Sequence, residues 1–413
     1  MLDPRIYRTG LVAVVLAVIV FAFSLQDQPG SLSATLAPDA FNGQNAYRDA
    51  TNLAQHYRHR HAGSMSDNAI AAEIAQRLHL DGFNVSNQSF EAPTPSGTRP
   101  LQNVIGVRSG LSSGSIVVIA HRDATRSPAK VEESGTGVLL DLGRVMSGET
   151  LNHTIVLAST TASTRAAGAA QLIRSLPGPI DAVVVLGDMA SRTVRPPLVV
   201  SWSDGQQIAP SLLRNTAAGA LSTQASLATG GTSMLGQFVH LAFPFTVSEQ
   251  GAFNARGIPA VLLSASGERT PAGNAPLSLA QITQFGRTTH EMISGLGGAG
   301  PVPAPSPYLL MDGNIVPAWA VRLLVLGLIL PVLGATIDAF ARARRRGHSV
   351  GSWAARVLAA GVPLALGVAI ILFAKALGLL KMAPPGPAAR DWRGTGTAVA
   401  PHHSGGPARA GRM

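Results

Sequence analysis

SIVVIAHRDATRSPAKVEESGTGVLLDLGR, residues 115–144, decides how the rest of the chain is read. Residues 116–120 form a short β-branched, apolar run of the kind found in a parallel strand buried on both faces. Polarity then flips within one residue, to His121, Arg122 and Asp123. A polar loop follows, Ser134 is an expected N-cap, and apolar residues recur at helical spacing over 138–146. A strand, a ligand-rich loop and a helix, in that order, place a site at the carboxyl end of an open α/β sheet. His121 with Asp123 two residues on reads as a metal ligand and its orienting carboxylate. It reads equally as a hydrogen-bonded pair that only caps the strand.

Working outward, composition describes a chain with two environments. Of the 413 residues 46% are hydrophobic, and three apolar runs carry the excess: residues 11–23 (extending to 25), 317–340 and 353–380. Each is read as membrane-associated, the first being either an anchor or a signal segment behind Arg5 and Arg8. The formal charge of +10 resembles a nucleic-acid signal. Residues 26–317, however, hold 18 Lys+Arg against 19 Asp+Glu, so the large middle segment is near neutral and a nucleic-acid partner is excluded. The positive excess gathers at the termini, in the apolar runs and in Ala-Arg-Ala-Arg-Arg-Arg at 341–346. Arginines crowded into one short loop between apolar runs place that loop in the cytoplasm and the middle segment outside. The chain has no cysteine, so any metal would be held by His and carboxylates, favouring zinc or a harder ion.

The expected organisation follows: a membrane anchor or signal at 1–25, a linker at 26–45, an extracytoplasmic domain at 46–296 and a Gly/Pro linker at 297–316. Beyond these come a transmembrane helix at 317–340, a basic cytoplasmic loop at 341–352, a second transmembrane helix at 353–380 and a disordered tail at 381–413. Within the domain, helices are expected at 46–56, 68–80, 163–175, 210–227 and 278–296. Strands are expected at 83–90, 101–108, 115–120, 154–158, 181–186, 198–202 and 260–263, with 101–108 and 115–120 paired as a hairpin. The basic turn 56–61, with three histidines, reads as solvated. Gly110-Leu-Ser-Ser-Gly114 matches a nucleophile elbow but joins two strands rather than a strand and a helix. Gly295-Leu-Gly-Gly-Ala-Gly300 matches a dinucleotide fingerprint but follows a helix and runs into prolines.

Taken together, several stretches resemble the M28 family of zinc aminopeptidases over most of 45–296. They are Gly82-Phe-Asn-Val85, Asn103-Val-Ile-Gly-Val-Arg108, Ala120-His-Arg-Asp123, Ser134-Gly-Thr-Gly137, Leu186-Gly-Asp-Met189, Ser248-Glu-Gln250 and Gly257-Ile-Pro-Ala260. The resemblance implies an α/β three-layer sandwich with a mostly parallel mixed sheet of the zinc-aminopeptidase kind, here with three transmembrane helices added. It also implies two zinc ions and a bridging water activated beside a Glu base. His121 matches the first ligand, Asp123 the residue orienting it, and Asp188 a carboxylate ligand.

The rest of the pattern is broken. The bridging aspartate falls on Val131, leaving Glu132 and Glu133 as the nearest carboxylates. The Glu pair falls within Ser159-Thr-Thr-Ala-Ser-Thr164, and the final histidine near Arg269, which cannot ligate zinc. No catalytic residue is therefore assigned. The metal candidates are His121 and Asp188, with Glu132 and Glu133 weaker, and Asp123 behind them. The expectation is a bacterial membrane protein with a degenerate metal site, holding no zinc or binding it weakly. Its partners would be the membrane and a peptide or protein at its surface. The alternative is an active zinc aminopeptidase with rearranged ligands.

Overall fold

The computed structural model describes residues 4–33, 38–127, 129–176, 178–347 and 350–376. The expected tail at 381–413 lies outside the described residues, as do positions 348–349 of the basic loop. In chain order the elements are α1 (Pro4–Phe23), β1 (Gln26–Asp27), α2 (Gly43–His56), α3 (Met65–Leu80), β2 (Asn84–Thr94), β3 (Gly97–Arg108) and β4 (Ser115–His121). They continue with α4 (Ser134–Ser147), β5 (Thr154–Thr160), α5 (Ala167–Leu172), β6 (Ile180–Leu186), β7 (Val199–Val200), α6 (Ser211–Ala225) and α7 (Met234–Ala242). The last are α8 (Gln250–Asn254), β8 (Ala260–Leu263), α9 (Leu279–Gly297), β9 (Tyr308–Met311), β10 (Asn314–Pro317), α10 (Ala318–Arg345) and α11 (Val350–Ala376).

Seven strands form one mixed sheet in the order β2-β3-β5-β4-β6-β8-β7. The four central strands, β5, β4, β6 and β8, run parallel, and antiparallel neighbours flank them at both edges. The alternation of β4 explains its central place. Ile116, Val118 and Ala120 join a core shared with α2, α3, α4, α6 and α9. Val117 and Ile119 face the opposite core, with α5 and α8. A strand apolar on both faces is stable only between two helical layers.

One expected pairing changes. β3 does not form a hairpin with β4; it pairs with β2 on one side and β5 on the other. Inserting β5 between them lets β4 take parallel neighbours on both sides. The turn Pro95-Ser96 makes the actual hairpin, β2–β3. Ser134 is also not an N-cap. It is the first residue of α4, behind Glu133, and its hydroxyl accepts from Met189 N at 2.9 Å. The helix expected at 163–175 shrinks to α5, because Ala162 and Ala166 take left-handed conformations around a single 3₁₀ turn.

Both expected linkers carry structure. In the first, Leu32 N donates to Thr216 Oγ1 at 3.1 Å, and its side chain packs on the core. In the second, β9 and β10 form a hairpin, and β1 pairs on its edge.

Three membrane helices were expected; among the described residues, one helix is long and apolar enough to cross a membrane, α10. The apolar stretches Gly10–Phe23 of α1 and Gly361–Ile370 of α11 are shorter. α10 continues through Pro331. α1 lies against α10 so closely that a Cβ added to Gly327 would stand 2.5 Å from Ala17 Cβ. The outward face of α10, including Leu326, Leu330 and Val332, is exposed.

Candidate functional site

The carboxyl ends of β4, β5 and β6 converge on a buried cluster of charge. Burying ionised groups is costly unless each finds a counter-ion, so their pairing describes what the cluster can do.

β4 delivers His121, Arg122 and Asp123. Arg122 is wholly buried and acts as a staple. It pairs with Asp67 Oδ1 at 2.9 Å and donates to the carbonyls of Asp67, Gln102 and Ser159, joining α3, β3 and β5. Asp123 was expected to orient His121. Instead both its oxygens accept from Ser163 N at 3.2 Å, and the Ser163 hydroxyl donates to Oδ2. The carboxylate therefore holds the loop that follows β5. His121 lies among buried neighbours beside Arg60. Desolvation, reinforced by that positive charge, lowers its pKa to about 4, so its imidazole is neutral at physiological pH.

Arg60 is the residue that sequence reasoning missed most plainly. The basic turn 56–61 was read as solvated, yet Arg60 is 1% exposed. Its Nε lies 2.6 Å from Glu133 Oε2, with both side chains fully buried. The same guanidinium donates to the carbonyls of Arg122 and Ala129 at 3.0 and 2.8 Å. The signal was available in principle, since a core with this many carboxylates requires an internal cation. Glu133 is thus taken up by an arginine. Glu132 beside it is also buried, and desolvation raises its pKa to about 7 against the pull of Arg60.

Asp188, at the end of β6, accepts from Ala190 N and Ser191 N at 3.0 and 2.8 Å through Oδ1. That oxygen shapes the turn after the strand, while Oδ2 is buried with no hydrogen-bond partner. Burial raises its pKa, opposed by those donors.

Residues 159–164, where the resemblance puts the Glu pair, have no carboxylate of their own, but two reach them from elsewhere in the fold. Thr160 Oγ1 donates to Glu249 Oε1 at 2.7 Å, and Thr161 Oγ1 donates to Asp67 Oδ2 at 2.9 Å. Both carboxylates come from distant segments and meet the two threonines where the resemblance called for a Glu pair. Glu249 is 3% exposed, and desolvation raises its pKa to about 8, so at neutral pH it is mostly the acid. Arg269, expected near the final histidine, lies on the exposed rim, where Nη1 donates to Pro196 O at 3.2 Å.

The residues do not suit a two-zinc centre. Buried oxygens without a hydrogen-bond partner on Asp188, Glu132, Glu133 and Glu249 are the kind of atom a metal would satisfy. Yet among the described residues no group of three or more His, Asp or Glu side chains is disposed to hold one ion. A buried guanidinium at His121 and Glu133 would also repel a dication in a low-dielectric interior. Beside the cluster, a cleft of about 290 Å³ opens over Asp123, lined by His61, Pro93, Thr94, Thr125 and Thr164 among others.

No protein-family model matches the chain, and no curated protein matches it in sequence. Solved structures do. Glutaminyl cyclase from Porphyromonas gingivalis is similar at 17% identity and a TM-score of 0.49, covering 62% of this chain and 98% of its own. BSAP, a zinc aminopeptidase from Bacillus subtilis, is similar at 12% identity and a TM-score of 0.49, covering 61% and 94%. A leucine aminopeptidase precursor from Bacteroides thetaiotaomicron gives 14%, a TM-score of 0.49, and 62% and 97%.

Proposed function

We propose that the chain is a membrane-anchored protein whose extracytoplasmic, M28 aminopeptidase-like domain binds a partner and does not hydrolyse peptides. The observation that carries this reading is the fully buried Arg60–Glu133 pair beside His121. It satisfies by protein charge what a zinc enzyme of this kind satisfies with metal. The paired Arg122–Asp67 contact and the Asp188 turn support it, because those side chains already have structural work. The cleft over Asp123 suits an extended peptide or a loop of a protein partner at the membrane surface. Anchoring is supported by α10 and its exposed apolar face. Arg342, Arg344, Arg345 and Arg346 at the far end of α10 support a cytoplasmic position for that end.

One observation favours the competing reading of an active zinc aminopeptidase with rearranged ligands. Glu249 supplies a near-neutral carboxyl at Thr160, in the region where a base was expected to be missing. An assay of the full chain in detergent, with added zinc, against a panel of aminoacyl p-nitroanilides decides between them. The proposed function predicts no turnover that His121→Ala removes; turnover lost in that variant would restore the enzyme.

A further inference from the structure

Helix α7 has no buried residue, which is unusual for a helix in a domain core. Its side chains nevertheless separate into two faces at helical spacing. Gln237, His240 and Leu241 face the protein. Gln237 Nε2 donates to Leu310 O at 3.1 Å, and Leu310 N returns a bond to Gln237 Oε1 at 2.7 Å. The His240 ring stacks on Trp202 with centroids 4.1 Å apart. Leu235, Phe238 and Val239 face outward and are exposed, as are Phe243 and Phe245 in the segment that follows. Residues 215–248 contain no Asp, Glu, Lys or Arg, so no formally charged acid or base on this stretch opposes an apolar environment.

The position of α7 identifies what covers that face. Leu241 packs against a small core of Leu309, Val316, Ala320 and Val321, joined by Phe21. Phe21 lies in the last turn of α1, while Ala320 and Val321 lie in the first turn of α10. α7 therefore sits at the level where one apolar helix leaves the domain and the other enters from it. Trp319, at the second position of α10, is more than half exposed at the same level, as interfacial aromatic residues are.

We propose that α7 and the segment 243–245 lie in the interface of the bilayer that α10 enters, with Leu235, Phe238, Val239, Phe243 and Phe245 against lipid acyl chains. The domain would then stand on the membrane through a third contact besides α1 and α10, instead of hanging from a hinge. This rests on the membrane reading given under the proposed function.

The chain has no cysteine, so single labels can be placed cleanly. Full-length Leu235→Cys, Phe238→Cys and, as a reference within α10, Leu330→Cys would each be labelled with an environment-sensitive fluorophore. The probe is a vesicle of phosphatidylcholine and phosphatidylglycerol carrying doxyl groups high or low on the acyl chain. The expected result is a blue shift and loss of fluorescence at 235 and 238, strongest with the high doxyl group, and deeper quenching at 330. Quenching at 330 without quenching at 235 or 238 overturns the interfacial contact and leaves the membrane reading intact. Labels at 235 and 238 that are shielded from aqueous iodide yet unquenched by doxyl lipid show protein cover, which also overturns it. Loss of quenching at 330 overturns the membrane reading, and the interfacial contact with it.

Discussion

Arg60 and Glu133 face each other at full burial, so each is expected to depend on the other more than on any neighbour. Removing one partner strands the other charge in the core. Arg60→Met or Glu133→Leu alone should therefore cost about 3–5 kcal/mol. The double variant should recover most of that loss, because it removes both desolvated charges together. Thermal and urea unfolding of the three variants would measure this coupling; strictly additive losses would show that the pair is not one unit. Glu249 makes a second residue-scale prediction through pH. Its folded pKa, about 8, lies above the ordinary glutamate value of 4.5, so the folded state holds an extra proton between those values. That contribution is complete below about 4.5 and fades as pH rises through about 8. His121 works in the other direction: with a folded pKa of about 4 against 6.5, its contribution is present above 6.5 and lost as pH falls toward 4. Above pH 6.5 His121 no longer contributes, and the buried carboxyls whose pKa burial raises set the slope, Glu132 and Glu249 among them. Stability should then fall with rising pH, by at most roughly 1.4 kcal/mol per unit for each carboxyl. Glu249→Gln should flatten the decline; an unchanged slope in that variant would remove Glu249 as its source.

At the scale of elements, Ser134-Gly-Thr-Gly137 shows how a motif works through packing rather than chemistry. A Cβ on Gly137 would lie 2.4 Å from Ala46 O on α2, and one on Gly135 would lie 2.9 Å from Leu186 O at the end of β6. These two glycines let the first turn of α4 press against both elements and so fix Glu133 beneath Arg60. Gly137→Ala should cost about 1–3 kcal/mol by forcing α2 and α4 apart, with a fall in melting temperature. A neutral substitution would mean that the crossing yields easily. The same comparison shows what was legible in the sequence. The buried strand β4, its polar C-terminal loop and the following helix were plain from apolar runs and spacing, as were β8 and α9. The partners of β4 were not, because a strand buried on both faces carries no mark of which neighbour stands beside it. The site divides in the same way. His121, Asp123 and Asp188 announced themselves at strand ends. Arg60, Asp67 and Glu249 did not, because their roles come from contacts across tens of residues: 73 separate Arg60 from Glu133, and 89 separate Thr160 from Glu249.

For the whole molecule, an α/β domain with a seven-stranded sheet connects at one edge to α10 through the β1-β10-β9 sheet. Its site end is closed by protein ion pairs. Two buried arginines pair with Glu133 and Asp67, and burial raises the pKa of these two carboxyls, against the pull of their arginines, as it does for Asp123, Glu132, Asp188 and Glu249. Under the proposed function this centre stands without an ion, because a zinc site needs three or four protein donors free to converge. The most direct test is the zinc content of the full chain, purified in detergent without chelator and then dialysed against a zinc buffer. Elemental analysis should give less than about one zinc per chain, with no change in melting temperature on adding a chelator. One or two equivalents of zinc held through dialysis, with a chelator lowering the melting temperature, would contradict a domain held together by its own charges.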